Sequence, residues 1–453
     1  MDATAFGHDF VWGAAASAFQ TEGAPQVDGK GPSIWDYFCA VRRQKGSVLI
    51  PNSGTDFYNK YMHDIILMQF LNIRHFRFSI SWPRIFPAGI GQVNKAGVDF
   101  YNRVIDFCLE MGISPWVTLY HWDLPQRLEE KGGWANRDVT GWFETYSAFC
   151  IKKFGDRVKH WLVLNEPAVF TGAGYFLGSH APGKKGLNNF LPAMHHAVLC
   201  QGIGGRMIKE RKGLQAGTSF SYTLIDPLVP QPAHEQAALR ADVLVNRSFL
   251  EPMLGLGYPD KDLRLLQQLE RYVKPGDEQL MVCPMDFLGI QHYTRERVRF
   301  SALMPYLHAR PVPASKRGVA TTAMGWEVYP EGMYRSLKRL TQYKGLPPII
   351  ITENGAAFTD ECLEGKVEDT QRINYLTDYL RQLLRAKEEG VNVNGYFVWS
   401  LTDNVEWAEG RNKRFGLIYV DYKTGRRYVK ASGHWYRQFL EASQQFAPAA
   451  VAV

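Results

Sequence analysis

Glu166 and Glu353 each stand where an apolar, strand-like run gives way to turn residues. Trp161-Leu162-Val163-Leu164 runs into Asn165-Glu166-Pro167, and Ile349-Ile350-Ile351 runs into Thr352-Glu353-Asn354-Gly355. A carboxyl group at a strand end, followed at once by Pro or by Asn-Gly, is aimed into a loop region instead of being paired within a sheet. Two such carboxyls on different strands are what cleavage of a glycosidic bond requires, one to donate and accept the proton and one to attack or to activate water. Either acid alone would read as a solvated strand-end group. What alters that reading is how much else converges on the same edge.

Strand-like segments recur at 10–19, 75–82, 115–122, 160–165, 215–223, 286–294, 348–353 and 394–401. Helix-period stretches lie between them, among them Asp56 to Phe70, Lys95 to Met111, Val139 to Phe154 and Thr370 to Glu389. Several close on glycine, at Gly112, Gly155 and Gly390. Eight strands alternating with helices predict parallel βαβ units closed into a single (β/α)8 TIM barrel, with the active site at the C-terminal ends of the strands. A doubly wound open sheet is the rival, but no glycine-rich phosphate loop follows the first strand at Gly13-Ala14-Ala15. One catalytic domain over 1–444 is expected, with a low-complexity tail over 445–453 that frays. The unassigned stretches 30–55, 170–190 and 300–325 are expected as strand-to-helix loops on the active-site face.

In such a barrel the strand ends gather Gln20, Arg77, His121 with Trp122, Asn165 with Glu166, Tyr293, Glu353 and Trp399 into one cup. Aromatic rings suit the flat C–H faces of a sugar, and amides, imidazoles and carboxylates suit its hydroxyl rim. Each residue also has a plainer role open to it. Trp399 would serve equally as core, and Arg77 as half of a structural ion pair. Next to Glu353, Arg77 would also keep that carboxylate ionised, as a nucleophile requires. His121 with Asp123 lacks a third ligand at sensible spacing, and His195-His196 are helix neighbours that cannot share a face, so no metal is expected. Asp403 and Glu406 have the spacing of a helix cap.

The 453 residues carry 52 basic and 45 acidic side chains, a net charge of +7, with the basic residues scattered in short pairs. That distribution does not form a nucleic-acid stripe. No apolar run approaches the ~20 residues of a membrane span. Met1-Asp2-Ala3-Thr4 lacks the basic start and apolar core of a secretory signal, and the six widely spaced cysteines form no CxxC. These features predict a cytoplasmic protein with reduced thiols.

Longer motifs then carry a resemblance. They are Phe19-Gln20-Thr21-Glu22-Gly23, the run Phe76 to Pro87, Thr118 to Pro125, Asn165-Glu166-Pro167, His180-Ala181-Pro182-Gly183, Gly325 to Gly332, Ile351 to Gly355, and Trp399 through Gly416. In these stretches the chain resembles glycoside hydrolase family 1, the β-glucosidase type of enzyme, from about Phe10 to Phe439. The resemblance implies a barrel that hydrolyses terminal β-glycosides with retention and without a cofactor, on small substrates such as cellobiose or aryl β-glucosides, as in cellulose degradation. Carried over by position, Glu166 resembles the family's acid/base and Glu353 its nucleophile, held by Arg77 and Tyr293. Asn165 would meet the 2-hydroxyl, and Gln20, His121, Glu406 and Trp407 the outer hydroxyls, with Trp399 as the floor and Trp122 beside them. Ala168 and Trp326 are candidates for the aglycone side.

Two alternatives stay open. Relatives that take 6-phosphorylated sugars carry a smaller residue where Glu406 stands, so Glu406 argues against a 6-phospho-β-glycosidase. A binding-only relative would normally have lost one of the two glutamates. Two departures from the family pattern are Gln291-His292 before Tyr293, which would alter the wall beside it, and Ala168, where many members have tryptophan. The second predicts a wider entrance and an altered aglycone preference.

Overall fold

A computed structural model describes residues 2–44 and 54–444. Its centre is a closed, all-parallel barrel whose eight strands, in chain order, are β1 Val11–Ala15, β2 His75–Ser79, β3 Ser114–Tyr120, β4 His160–Asn165, β5 Gln215–Ser221, β6 Phe287–Gln291, β7 Ile349–Asn354 and β8 Val393–Trp399. Each strand pairs with its sequence neighbours and β8 closes on β1, with Ala15 opposite Trp399. All eight expected strands are therefore the barrel strands. Several are shorter than expected: the first ends at Ala15 and is followed by a helical turn, Ala18–Thr21, which carries Gln20. Gln20 thus reaches the cup from a helix and not from a strand end.

Side chains fill the barrel because they alternate along each strand. On β8, Phe397 and Trp399 turn inward to a cluster with Ala15, Trp116, Leu162, Phe287 and Ile350, while Tyr396 and Val398 turn outward to the helices. Gly13 makes room for this plug: a Cβ there would lie 2.3 Å from the Phe397 ring. Gly13→Ala would overpack the barrel at a cost of about 1–3 kcal/mol.

The helices Phe57–Phe70, Lys95–Glu110, Val139–Phe154 and Thr370–Glu388 match the expected spans to within two residues. Gly112 and Gly390 take left-handed φ values of 68° and 88°, as a helix stop requires. Gly155 does not. Its φ is −71°, and what it supplies is space, since a Cβ would meet the Ile151 carbonyl oxygen at 2.5 Å.

The three expected loops hold more structure than the sequence pattern gave them. Ile34–Gln44 is helical, and 45–53 lie outside the described residues. Pro167–Thr171 and Gly172–Leu177 form a continuous helical stretch. Residues Ala309–Pro311 join Arg295–Phe300 and Leu224–Pro227 in a small sheet beyond the barrel rim. The tail 445–453 lies outside the described residues. No described helix is long and apolar enough to cross a membrane. The described cysteines are all free thiols, five of them buried.

Candidate active site

A cavity of about 310 Å³ opens at the C-terminal ends of the strands, and both Glu166 and Glu353 line it. Local backbone irregularities aim them there. Along β7, Ile350 faces the barrel interior and Ile351 the helices, so strict alternation would turn Glu353 outward. A register shift between Ile351 and Glu353 interrupts that alternation and brings Glu353 inward. Glu166 follows a similar shift on β4 and takes a left-handed conformation, φ 47° and ψ 63°, with its N–H donating to the Ser219 carbonyl at 2.8 Å.

The partners of the two acids differ. Arg77, fully buried on β2, donates from Nη1 to Glu353 Oε1 at 2.5 Å and from Nη2 to Asn165 Oδ1. The Tyr293 hydroxyl donates to Glu353 Oε2 at 2.7 Å. Glu166 makes no ion pair with a cation among the described residues and is approached by the Ser221 hydroxyl. Burial pushes both carboxyls above the usual range. For Glu353 the Arg77 charge and the Tyr293 hydroxyl oppose that push, whereas for Glu166 the Glu353 charge adds to it and lifts it well above. The shared proton of the pair therefore rests on Glu166, and Glu353 is the ionised partner.

Asn165 is held from several sides. Its Oδ1 accepts from Arg77 and from Gln291 Nε2 at 2.6 Å, its Nδ2 lies 3.0 Å from His121 Nε2, and its carbonyl accepts from the Trp122 indole at 2.9 Å. Burial and the Arg77 charge hold His121 well below the usual imidazole range, so it is neutral. Its Nδ1 has no partner among the described residues and remains available to a ligand.

Gln20 donates to Glu406 Oε2 at 3.3 Å and to Asn404 at 3.0 Å, which joins the turn after β1 to the loop after β8. Burial and the nearby Glu353 charge push Glu406 up to about 8. Trp407 packs 4.4 Å from Trp122 and 5.9 Å from His121, and His121 lies over Trp399 at 6.0 Å, so three indoles surround one imidazole. Trp326 lies 5.4 Å from Tyr293 on the outer wall.

The structure thus gathers Gln20, Arg77, His121, Trp122, Asn165, Glu166, Tyr293, Glu353, Trp399, Glu406, Trp407 and Trp326 around one cavity. Ala168 is half-buried on the helix Pro167–Thr171, and its neighbour Val169 supplies the wall there, because one helical step turns the side chain by about 100°. His292 does not alter the cavity wall: it is buried behind it, with Nδ1 against the Tyr222 carbonyl at 3.0 Å. Asp403 does not cap a helix; it accepts from Arg414, Lys430 and the Gly416 N–H. His195 and His196 are engaged separately, by Asp277 with Tyr258 and by the Trp134 carbonyl. No group of metal-ligating side chains occurs among the described residues.

Sequence reasoning passed over Ser221, Glu296 and Glu409, gave His180 no role, and named Gln291 only as a departure in the wall and not as the partner of Asn165. Ser221 ends β5, the one strand whose end had yielded no candidate, so the strand-end rule would have found it. His180 lay in a quoted motif without a role, and it lines the cavity. Glu296 and Glu409 come from excursions beyond the rim and carry no local signal.

The sequence model of the family described as Glycosyl hydrolase family 1 matches residues 2–445. Among curated proteins, β-glucosidase A of Acetivibrio thermocellus is 42% identical over 97% of this chain and 99% of its own length. β-Glucosidase A of Thermotoga maritima is 41% identical over 97% and 99%. Among solved structures, the family 1 β-glucosidase of Thermotoga maritima superposes with a TM-score of 0.90 at 40% identity, covering 96% of this chain and 98% of that one. A psychrophilic β-glucosidase from Micrococcus antarcticus gives 0.92 at 40% identity, covering 98% and 100%. The Thermotoga maritima enzyme has also been solved in complex with deoxynojirimycin.

Proposed function

The chain belongs to glycosyl hydrolase family 1, and from that premise we propose that it is a retaining β-glucosidase in which Glu353 attacks and Glu166 moves the proton. The observation that carries the assignment is the asymmetry of the pair: Arg77 and Tyr293 both bond Glu353, and neither bonds Glu166.

In the first step a Glu353 oxygen bonds to the anomeric carbon as the bond to the aglycone oxygen breaks, and Glu166 gives its proton to that leaving oxygen. Esterification removes the charge on Glu353, and with it one of the causes that hold the proton on Glu166. Glu166 then accepts a proton from water, whose oxygen attacks the anomeric carbon and releases Glu353. Asn165, fixed by Arg77 and Gln291, is suited to the 2-hydroxyl, and Gln20, His121, Glu406 and Trp407 to the outer hydroxyls over Trp399. Trp326 is suited to the aglycone.

Unphosphorylated substrates such as cellobiose and aryl β-glucosides fit best, with β-galactosides and β-fucosides as side activities. Among the described residues no lysine or arginine lines the cavity to pair with a sugar phosphate, and the ionised Glu353 would repel one. Free thiols throughout the described residues support a reducing, cytoplasmic setting. The catalytic unit is the single domain 1–444.

The test is initial rates on nitrophenyl β-glucoside, β-galactoside, β-fucoside and 6-phospho-β-glucoside, with Glu353→Gln as the blank. Turnover confined to the phosphorylated substrate, or none at all, overturns the reading. Glu166→Ala should also lose the basic limb of the pH–rate profile on an aryl glucoside.

A further inference from the structure

Behind the sugar-side wall lies a buried network of three carboxylates and three cations that touches no part of the cavity. Lys430, fully buried, donates to Asp403 Oδ1 at 2.6 Å and to Asp360 Oδ2 at 2.5 Å. Arg372 donates to Asp360 Oδ2 at 2.9 Å and also to Asp369, and Arg414 donates to Asp403 Oδ2 at 2.5 Å. Asp360, Asp369 and Asp403 against Arg372, Arg414 and Lys430 leave no net charge.

The members come from the stretches that follow the paired strands β7 and β8, joined by Lys430 from the segment just before the last helix. Asp360 and Asp369 belong to the stretch after β7, which carries Glu353 at its end. Asp403 and Arg414 belong to the loop after β8, which carries Glu406 and Trp407. Backbone bonds tie the same segments: Arg372 donates from Nη2 to the Arg414 carbonyl at 2.7 Å and from Nε to the Ala356 carbonyl at 3.2 Å, and Asp403 accepts from the Gly416 N–H at 3.0 Å. The loop over 403–416 is thus pinned at both ends against the stretch that follows the nucleophile. Asp403 lies three residues before Glu406, and its neighbour Asn404 bonds Gln20.

Stability alone does not account for such a device. A buried ion cluster replaced by packed apolar side chains is commonly neutral or more stable, because desolvation offsets the attraction. What directional, multiply bonded ions add is register. From this arrangement we infer that Lys430, with Asp403 and Arg414, is a positioning element for sugar recognition: it fixes Glu406 and Trp407 relative to Glu353, and so sets how strongly the outer hydroxyls of the sugar are distinguished. The inference rests on the reading of Glu406 as a sugar ligand given above.

The experiment compares kcat/KM for nitrophenyl β-glucoside and β-xyloside, which lacks the C6 hydroxymethyl group, in the full-length protein. The variants are Lys430→Met, Glu406→Gln and the two combined. Lys430→Met leaves Asp403 paired to Arg414 and Asp360 paired to Arg372, so each carboxylate keeps a cation. Should it nevertheless fail to fold, Arg414→Gln, whose side chain is 17% exposed, tests the same link. A loss of folded enzyme lowers both substrates alike and cancels in their ratio.

We expect the glucoside-to-xyloside ratio to fall about tenfold in Lys430→Met, the equivalent of one lost hydrogen bond to the sugar, and the double variant to fall no further than Glu406→Gln alone. A ratio lowered by Glu406→Gln but unchanged by Lys430→Met and Arg414→Gln overturns the positioning role. A ratio unchanged by Glu406→Gln overturns both the sugar-ligand reading and the inference built on it.

Discussion

Arg77→Met isolates what the guanidinium does for Glu353, the proposed nucleophile. Arg77 is fully buried and its Nη1 lies 2.5 Å from Glu353 Oε1, which places the two centres of charge roughly 4 Å apart. At an effective dielectric near 20 the pair attracts by ~4 kcal/mol. Loss of the cation removes that attraction and raises the Glu353 carboxyl further. The Tyr293 hydroxyl remains and opposes part of that rise. Because the ionised carboxylate is the reacting form in the proposed mechanism, a raised pKa carries the acidic limb of kcat/KM to higher pH. On the acidic side of the profile the rate should fall at least about tenfold in the variant, the equivalent of ~1.4 kcal/mol of the lost attraction, and recover in part as pH rises, until the basic limb set by Glu166 intervenes. The assay is kcat/KM on nitrophenyl β-glucoside from pH 4 to 9, with thermal melts at pH 6 to establish folding. A loss of equal size at every pH, with the acidic limb unmoved, would refute the electrostatic role and leave Arg77 acting through the position of Asn165 alone.

Tyr293→Phe removes one hydrogen bond to the ionised carboxylate, worth about 1.5–3 kcal/mol; kcat should drop roughly 10- to 100-fold, and an unchanged kcat on an aryl glucoside would count against the contact. Glu406 titrates at about 8 in the folded protein and near 4.5 when exposed, so the folded state holds a proton that the unfolded state has released between those values. Its contribution to stability is full below about pH 4.5 and lost as pH rises through 8. Melting curves of Glu406→Gln should accordingly show a gain in Tm over the parent that grows from pH 5 to pH 8, and a gain constant with pH would contradict it. Ala168→Trp should shift the relative kcat/KM for aryl and alkyl glucosides by filling space next to Val169, and equal efficiencies before and after would remove Ala168 from the aglycone side.

The eight barrel strands and four of the long helices were legible from the chain because their signals are local. Apolar runs such as Ile349-Ile350-Ile351, helical periodicity such as Lys95 to Glu110, and stops such as Gly112 and Gly390 each depend on neighbouring residues. The carboxyls at Glu166 and Glu353 were legible for the same reason, since an acid followed by Pro or by Asn-Gly marks a strand end. Folding decided the rest, because it depends on groups far apart in the chain. Alternation from Ile350 would have sent Glu353 outward, and a break of register with both β6 and β8 accompanies its turn into the cavity. Gln20 sits on a helix because the first strand stops at Ala15. Which of two buried glutamates holds the proton is fixed by Arg77 and Tyr293, which lie 276 and 60 residues from Glu353 along the chain. Residue type and spacing supplied the acids; burial, with its low dielectric and its fixed partners, divided the roles between them.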